Sequence, residues 1–465
     1  MPQNRIGLVR QRLFSSLGLC HPAPPARHRA EGEPCLRPAA LARLEPLTEN
    51  RAHAIVIYHN CSAAGDCRAH AEISGEVELA RPDRILIVGA GIGGLCTAVA
   101  LAQIGAEVDV IDIKPDNAVA GVGWGLRTNG LRALREIGLL EPTLSIGFPT
   151  PPLSYFDRNG HHVVDIPYGR QFDGMPNNVQ LPRLGFLEMA SARALEAGCS
   201  IRMSTTATDI QQDADGVTVE LSDGSSHRYD LVIGFDGINS SIRRYLFGEA
   251  YVPVRSGGVA WRAPVRAPDT LKGAIFCHGF GGKVGFVPLA GGMMYVIVTH
   301  YEPGRPRHDP AAFPQIMHQR AREMMGDSAF MAAEIDSLRT ATNVAYTPLD
   351  TVLVPYPWHR GRVMIMGDAA HAMTPYLGSG AAMAIEDGVV FAKLLRSDDT
   401  LYDVQTKFMA RRYPRVKAIW DQSLKMMHEE FDSATPEALD RRLAYLVHEE
   451  PKVLDYIHRI LESEY

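Results

Sequence analysis

Two hydrophobic periods share this chain. Ile85–Val88 is a short apolar run rich in β-branched residues, the pattern of a strand buried on both faces of a parallel sheet. Small and apolar residues over Leu95–Ile104 predict a helix with Gly105 as its C-cap. Val108–Ile111 returns to strand and is closed by Asp112. Leu131–Ile137, capped at Gly138, reads as a helix; so does Leu184–Ala197, which follows Gln180–Arg183 and ends at Gly198. Val217–Leu221 and Arg228–Ile233 alternate around Ser222-Asp223-Gly224, a hairpin signal. Gly258–Val265, Ala274–Cys277, Val284–Leu289 and Met293–Thr299 alternate between Gly and Pro breaks and predict a separate, mostly antiparallel sheet. Phe313–Met325 has helical spacing, Val363–Met366 is a buried strand of the first type, and Gly380–Leu395 and the tail 401–462 are helical in pattern.

Residues 1–81 do not share these patterns. Pro22, Pro24, Pro25, Pro34 and Pro38 interrupt any period, and only Ala54–Tyr58 could form a strand. The first thirty residues carry Arg5, Arg10, Arg12, Arg27 and Arg29 and no acid. A disordered extension, an organellar transit peptide and a start codon assigned too far upstream all suit that composition. The folded body is expected from Pro82 onward.

Composition narrows the class. Of 465 residues, 46% are hydrophobic and 22% charged, which is ordinary for a globular chain. The net charge of −6 argues against nucleic acid as a partner. Seven cysteines without a C-x-x-C pair suit a reducing, cytoplasmic setting and no common zinc site. Ile85–Ala102 is uncharged and long enough to span a bilayer, but its glycines favour strand–turn–helix, so no integral membrane association is expected.

The turn between the first strand and helix carries the chemistry. Gly89, Gly91 and Gly94 match G-x-G-x-x-G, with Gly93 beside them. Gly89 permits the tight turn, Gly91 lets a pyrophosphate approach the backbone, and Gly94 lets helix and strand pack closely. The helix N-terminus offers N–H groups to phosphate, and Asp112 stands where a carboxylate would accept from a ribose.

Two further segments complete a pattern. One is Asp230-Leu231-Val232-Ile233-Gly234-Phe235-Asp236-Gly237, followed by Ser240, Ser241, Arg243 and Arg244. The other runs from Gly361 through Gly367-Asp368-Ala369-Ala370-His371 to Pro375 and Gly378-Ser379-Gly380. From about Arg84 to about Leu395, the chain resembles the single-component flavin aromatic hydroxylases, typified by p-hydroxybenzoate hydroxylase. Phe235 stands where that family has a small residue, and Ala382 where many relatives have Asn.

The resemblance implies an α/β fold: a doubly wound, Rossmann-type FAD-binding domain, an inserted β-rich substrate domain and a helical C-terminal region. The FAD domain would take 82–150, 181–250 and 351–395, the substrate domain 151–180 and 251–350, and the tail 396–465. It implies FAD contacts at Gly89, Gly91, Gly93, Gly94, Asp112, Asn129, Arg183, Asp236, Gly237, Gly367, Asp368, Gly378, Ser379 and Gly380. Pro375, Gly378 and Gly380 would lie at the reactive ring. There the N–H groups of a helix start would favour the negative charge of reduced flavin. Trp261-Arg262 matches an aromatic–arginine pair of the substrate sheet. His371 reads as a packed neighbour, and His161, His162, His278 and His300 as exposed or core-satisfied.

The implied activity is NAD(P)H- and oxygen-dependent hydroxylation of a small aromatic or polyketide-like compound through a flavin hydroperoxide. A homodimer is compatible with it. An NAD-dependent dehydrogenase would leave the second and third motifs unexplained. A flavin halogenase would show W-x-W-x-I-P, and Trp124, Trp261, Trp358 and Trp420 stand apart. An epoxidase of the same superfamily would want a hydrophobic anchor. A non-catalytic flavin-binding protein would separate by failing to oxidise NADPH with any ligand.

Overall fold

The computed structural model describes residues 82–117, 122–167, 169–304 and 306–465, and one antiparallel strand pair, His59–Cys61 with Cys67–Ala69. The chain divides into two units, Met1–Val77 and Glu78–Tyr465. The strand pair belongs to the first unit, and the remaining described residues form the second. Expectations for Ala54–Tyr58 and for a disordered or targeting extension lie outside the described residues.

The central sheet of the second unit has six strands in the order Ser200–Arg202, Glu107–Ile111, Arg84–Val88, Leu231–Gly234, Val363–Ile365 and His359–Arg360. Every neighbouring pair is parallel except the last. Ile85, Leu86, Ile87, Leu231, Val232 and Ile233 are wholly withdrawn from solvent, as strands covered on both faces must be. Helices Ile92–Ala102 and Gly380–Leu394 pack together closely. A Cβ at Gly388 would stand 2.0 Å from Thr97 Oγ1, so only glycine permits this approach.

The Arg228–Ile233 run does not form one hairpin arm. Ala207–Gln212, Val217–Leu221 and Ser226–Tyr229 form a three-stranded meander, and the chain leaves it at Asp230. Asp230 Oδ2 accepts the N–H groups of Asp83 and Arg84 at 2.9 and 2.7 Å, which carries Leu231 into the central sheet instead.

A second sheet has seven strands: Ala345–Pro348, Gly258–Arg266, Met293–Tyr301, Gly282–Leu289, Ile275–Gly279, Leu153–Asp157 and His162–Ile166. Side chains alternate across it. Trp261, Val284, Phe286, Val296 and Val298 join Met317 and Ala321 of helix Phe313–Met325 in a core of their own. The intervening residues face the other way, toward a cavity. Gly123–Arg127, Asn178–Pro182 and Phe148–Pro149 make a small third sheet beside it.

The tail forms helices Leu401–Phe431, Pro436–His448 and Glu450–Glu462. The first is 31 residues long and packs on Gly380–Leu394, with the Phe391 and Phe408 rings 5.6 Å apart. No described helix is long and apolar enough to cross a membrane.

Candidate active site

One cavity of about 690 Å³ collects the three motifs. The glycine turn and Asp112 form one end, Asp236 and Gly237 lie beside them, and Asp368 with Pro375–Gly380 forms the other end. The inward face of the seven-stranded sheet closes it.

The glycine turn is held by contacts that exclude side chains. Gly89 has φ 120°, and a Cβ there would meet the Phe235 carbonyl oxygen at 2.3 Å. A Cβ on Gly94 would lie 1.9 Å from the Gly89 oxygen. Gly91 differs: nothing lies within 4 Å, and it faces the cavity. Phe235, the departure from the family pattern, fits because its ring lies over two glycines. Cβ atoms on Gly93 and Gly367 would come within 2.9 and 3.2 Å of it.

Asp112 has two tasks. Its carboxylate accepts the N–H groups of Ala90 and Lys114, each at 2.9 Å, and so ties the glycine turn to the end of its strand. A carboxylate has about four acceptor positions, so capacity remains for a ribose hydroxyl at the cavity edge. Asp236 is occupied locally. It takes Ser240 Oγ at 2.5 Å, and Ser241 N, Ser241 Oγ and Ile242 N at 2.6 to 3.1 Å, fixing the turn into helix Ser241–Phe247. Arg243 then joins the second motif to the third by donating to the carbonyls of Ile238, Tyr251 and Ala369.

In the third motif, Asp368 turns its carboxylate to the cavity and Arg183 faces it across the space. Desolvation raises the Asp368 pKa, with His371 and Arg183 opposing the rise. Desolvation likewise lowers that of Arg183, opposed by Asp368. Gly378 adopts the left-handed conformation at φ 55°, which turns the chain from Pro375–Leu377 into helix Gly380–Leu394. No side chain caps that helix, so its first-turn N–H groups are available at the cavity wall. Ser379 Oγ donates to the Leu377 carbonyl at 2.9 Å, which leaves Ser379 only its backbone to offer.

Two residues expected at the cofactor stand behind the cavity wall. Asn129 is buried behind the cavity, where Nδ2 donates to Glu386 Oε1 at 2.8 Å. Gly367 sends its N–H to Asp387 Oδ2 at 3.0 Å. Both support the wall and neither lines it. Ala382 packs toward Gly130, whose Cβ would lie 3.1 Å from its own, so it leaves no gap at the wall. His371 is packed as expected, with Nε2 2.6 Å from Asp387 Oδ2.

Beside Arg262, expected from the Trp261-Arg262 pair, the sheet supplies residues that no motif announced: Tyr155, Phe276, Lys283, Tyr295 and Thr299. Desolvation lowers the Arg262 pKa, with Arg183 adding to the fall and Tyr295 opposing it. Period-two alternation could have paired these side chains on one face, but not told which face meets the cavity.

The residues fit an FAD. A glycine open to the cavity at Gly91, acceptors at Asp112 and Asp368, and an uncapped helix start at Gly380 suit pyrophosphate, ribose, ribityl chain and ring edge in turn. Among the described residues no cluster could hold a metal ion.

Comparison with known proteins agrees. A family model described as an FAD binding domain matches residues 83–399. The 2-heptyl-3-hydroxy-4(1H)-quinolone synthase of Pseudomonas aeruginosa is 33% identical over 318 residues, covering 67% of this chain and 80% of the relative. The 3-hydroxybenzoate 6-hydroxylase of Klebsiella oxytoca is 30% identical over 340 residues, covering 69% and 82%. Klebsiella pneumoniae HpxO, complexed with FAD and uric acid, superposes with a TM-score of 0.71 at 22% identity, over 81% of this chain and 96% of that one.

Proposed function

The chain belongs to the FAD-dependent aromatic monooxygenases, and from that premise we propose that it hydroxylates a small, electron-rich aromatic or polyketide-like compound, using NAD(P)H and oxygen. The observation that carries this reading is the convergence of three motifs, far apart in sequence, on a cavity closed by the seven-stranded sheet. Bound FAD supplies the redox chemistry and the activation of oxygen. The chain's own residues bind, orient and exclude water. Asp112 and Asp368 would hold the cofactor's hydroxyl groups, and the backbone at Gly91 would receive its phosphates. The uncapped start of helix Gly380–Leu394 would offer its positive end to the ring and so favour the reduced, anionic form.

The sheet keeps solvent from the reacting centre, and Arg262 brings a cation to the substrate space. The names of the two curated relatives each specify an electron-rich ring, a quinolone and a hydroxybenzoate, which supports the same class here. A single dinucleotide fingerprint in the chain supports a nicotinamide that visits rather than resides. Buried thiols at Cys96, Cys199 and Cys277 support a reducing, cytoplasmic setting.

The test is a substrate panel followed by NAD(P)H oxidation, then oxygen-18 labelling of the best compound. One product oxygen should come from labelled gas and none from labelled water. Label from water, or turnover without oxygen, would overturn the reading. Failure of every compound to stimulate NAD(P)H oxidation would leave a flavin-binding protein without this activity.

A further inference from the structure

A charge pair beside the cavity, Lys283 with Glu430, belongs to none of the three motifs. In the antiparallel register His278 pairs with Lys283, and Lys283 with Thr299, so the three form one row on the inward face of the seven-stranded sheet. Lys283 Nζ lies 2.6 Å from Glu430 Oε2 and 3.9 Å from the centre of the Tyr376 ring. Thr299 Oγ1 and Tyr376 OH each donate to Glu430 Oε1 at 2.6 Å. Lys283, Thr299 and Tyr376 line the cavity. Glu430 lies wholly buried behind them, in the last turn of helix Leu401–Phe431. The matched family region ends at residue 399, so this carboxylate comes from outside it.

The geometry is that of a donor held from behind. An ammonium has three N–H groups. Glu430 engages Lys283 from the protein side, and the Tyr376 ring lies beside it. The cavity is in front, where a further N–H can meet a ligand oxygen. Stability alone is a weak reason for such a pair, because removing two charges from water offsets most of their attraction.

Of the other charged groups near this row, Arg442 is already matched. Arg442 Nη2 pairs with Glu450 Oε2 at 2.8 Å. His278 is fully buried, and desolvation, Arg442 and Lys283 together hold it neutral. Arg262 pairs with Ile297, which also pairs with Gly285, so its guanidinium sits one row along. It adds a positive charge near the ligand, beside the donor that Lys283 offers.

We propose that Lys283 determines specificity by binding an ionised hydroxyl of the substrate, a phenol or enol held as its oxyanion, and that Glu430 positions it. This rests on the cavity being the substrate site. The hydroxyl loses its proton to solvent on binding, no bond to carbon changes, and the ring gains the electron density that oxygen insertion requires.

The probe is 4-nitrophenol, whose phenol and phenolate absorb differently, with the oxidised holoenzyme at a pH where the free probe is half ionised. Wild type should bind it as phenolate, while 4-nitroanisole shows no dependence on Lys283. Lys283→Met should lose the phenolate spectrum and bind about tenfold more weakly. Lys283→Arg should keep the phenolate form. Glu430→Gln should bind phenolate several-fold more tightly, because it removes a negative charge while leaving Lys283.

Equal weakening in Lys283→Met and Glu430→Gln, with FAD retained, would overturn the proposal. So would a phenolate spectrum that survives Lys283→Met, or a wild type that takes up only neutral probe or none. If Glu430→Gln does not fold, the contrast between Lys283→Met and Lys283→Arg decides. The readout is the probe's spectrum, so it stands apart from the oxygen-18 result that decides the monooxygenase reading.

Discussion

Arg412 Nε donates to Asp387 Oδ1 at 2.7 Å, and both side chains are wholly withdrawn from solvent. The same guanidinium reaches Glu386 Oε2 from Nη1 at 2.6 Å, and Arg415 binds both Glu386 oxygens at 2.9 and 2.8 Å. Asp387 Oδ2 meanwhile takes the Gly367 N–H and His371 Nε2. The long tail helix therefore grips the turn that presents Asp368 to the cavity. Its arginines lie beyond the matched family region.

Arg412→Met should destabilise the fold by about 3–5 kcal/mol, because it leaves two buried carboxylates short of a partner. Chemical denaturation of the holoprotein measures this. A loss below about 1 kcal/mol would mean that the cluster relaxes or admits water.

The same cluster sets an acid limit. Burial works against the charged forms of Glu386 and Asp387. Arg412 and Arg415 around Glu386, and His371 and Arg412 around Asp387, nevertheless hold both below the usual carboxylate range. A folded pKa below the unfolded one gives stability that is complete above the unfolded value, about 4. That stability is lost as pH falls through the lower folded value. The thermal midpoint should fall steeply below about pH 4 in wild type and less steeply in Arg412→Met, where less is left to lose. Parallel curves would refute the assignment.

Asp112→Ala should weaken FAD by about 1–3 kcal/mol, roughly 5- to 150-fold, through lost hydrogen bonds to a charged acceptor. It also releases the N–H groups of Ala90 and Lys114, so the glycine turn should become more protease-sensitive. Asp368→Ala should weaken FAD to a similar extent while leaving that turn intact. Flavin titration of each apoprotein reads the affinities, and unchanged values would remove these carboxylates from the cofactor site.

Two glycines should separate fold from cofactor. A Cβ on Gly380 would meet nothing closer than Met373 Cγ at 3.6 Å, so Gly380→Val should fold but push a branched side chain into the cavity. Its flavin spectrum and reduction rate should change with the thermal midpoint nearly kept. Gly94→Ala forces a Cβ to 1.9 Å from the Gly89 oxygen and should cost both FAD and stability. Identical behaviour of the two variants would contradict the geometry.

Much of this was legible in the chain because it is local. Helix Phe313–Met325 has the bounds its spacing predicts, and Gly380–Leu394 falls one residue short of its own. The strand of the glycine motif, its turn and its helix are consecutive, so sterics and period alone identify them. The family followed from three such local signals in one order. What lies between distant segments was not legible. Asn129 matched a cofactor position in sequence, yet tertiary packing turns its amide to Glu386. Arg228–Ile233 alternates like one strand, but two hydrogen bonds from Asp83 and Arg84 to Asp230 divide it between sheets. Glu430 is 147 residues from Lys283 and carries no motif. A strand's period tells which residues share a face; only the packing of one sheet against another, and of a tail helix behind both, decides which face meets the substrate.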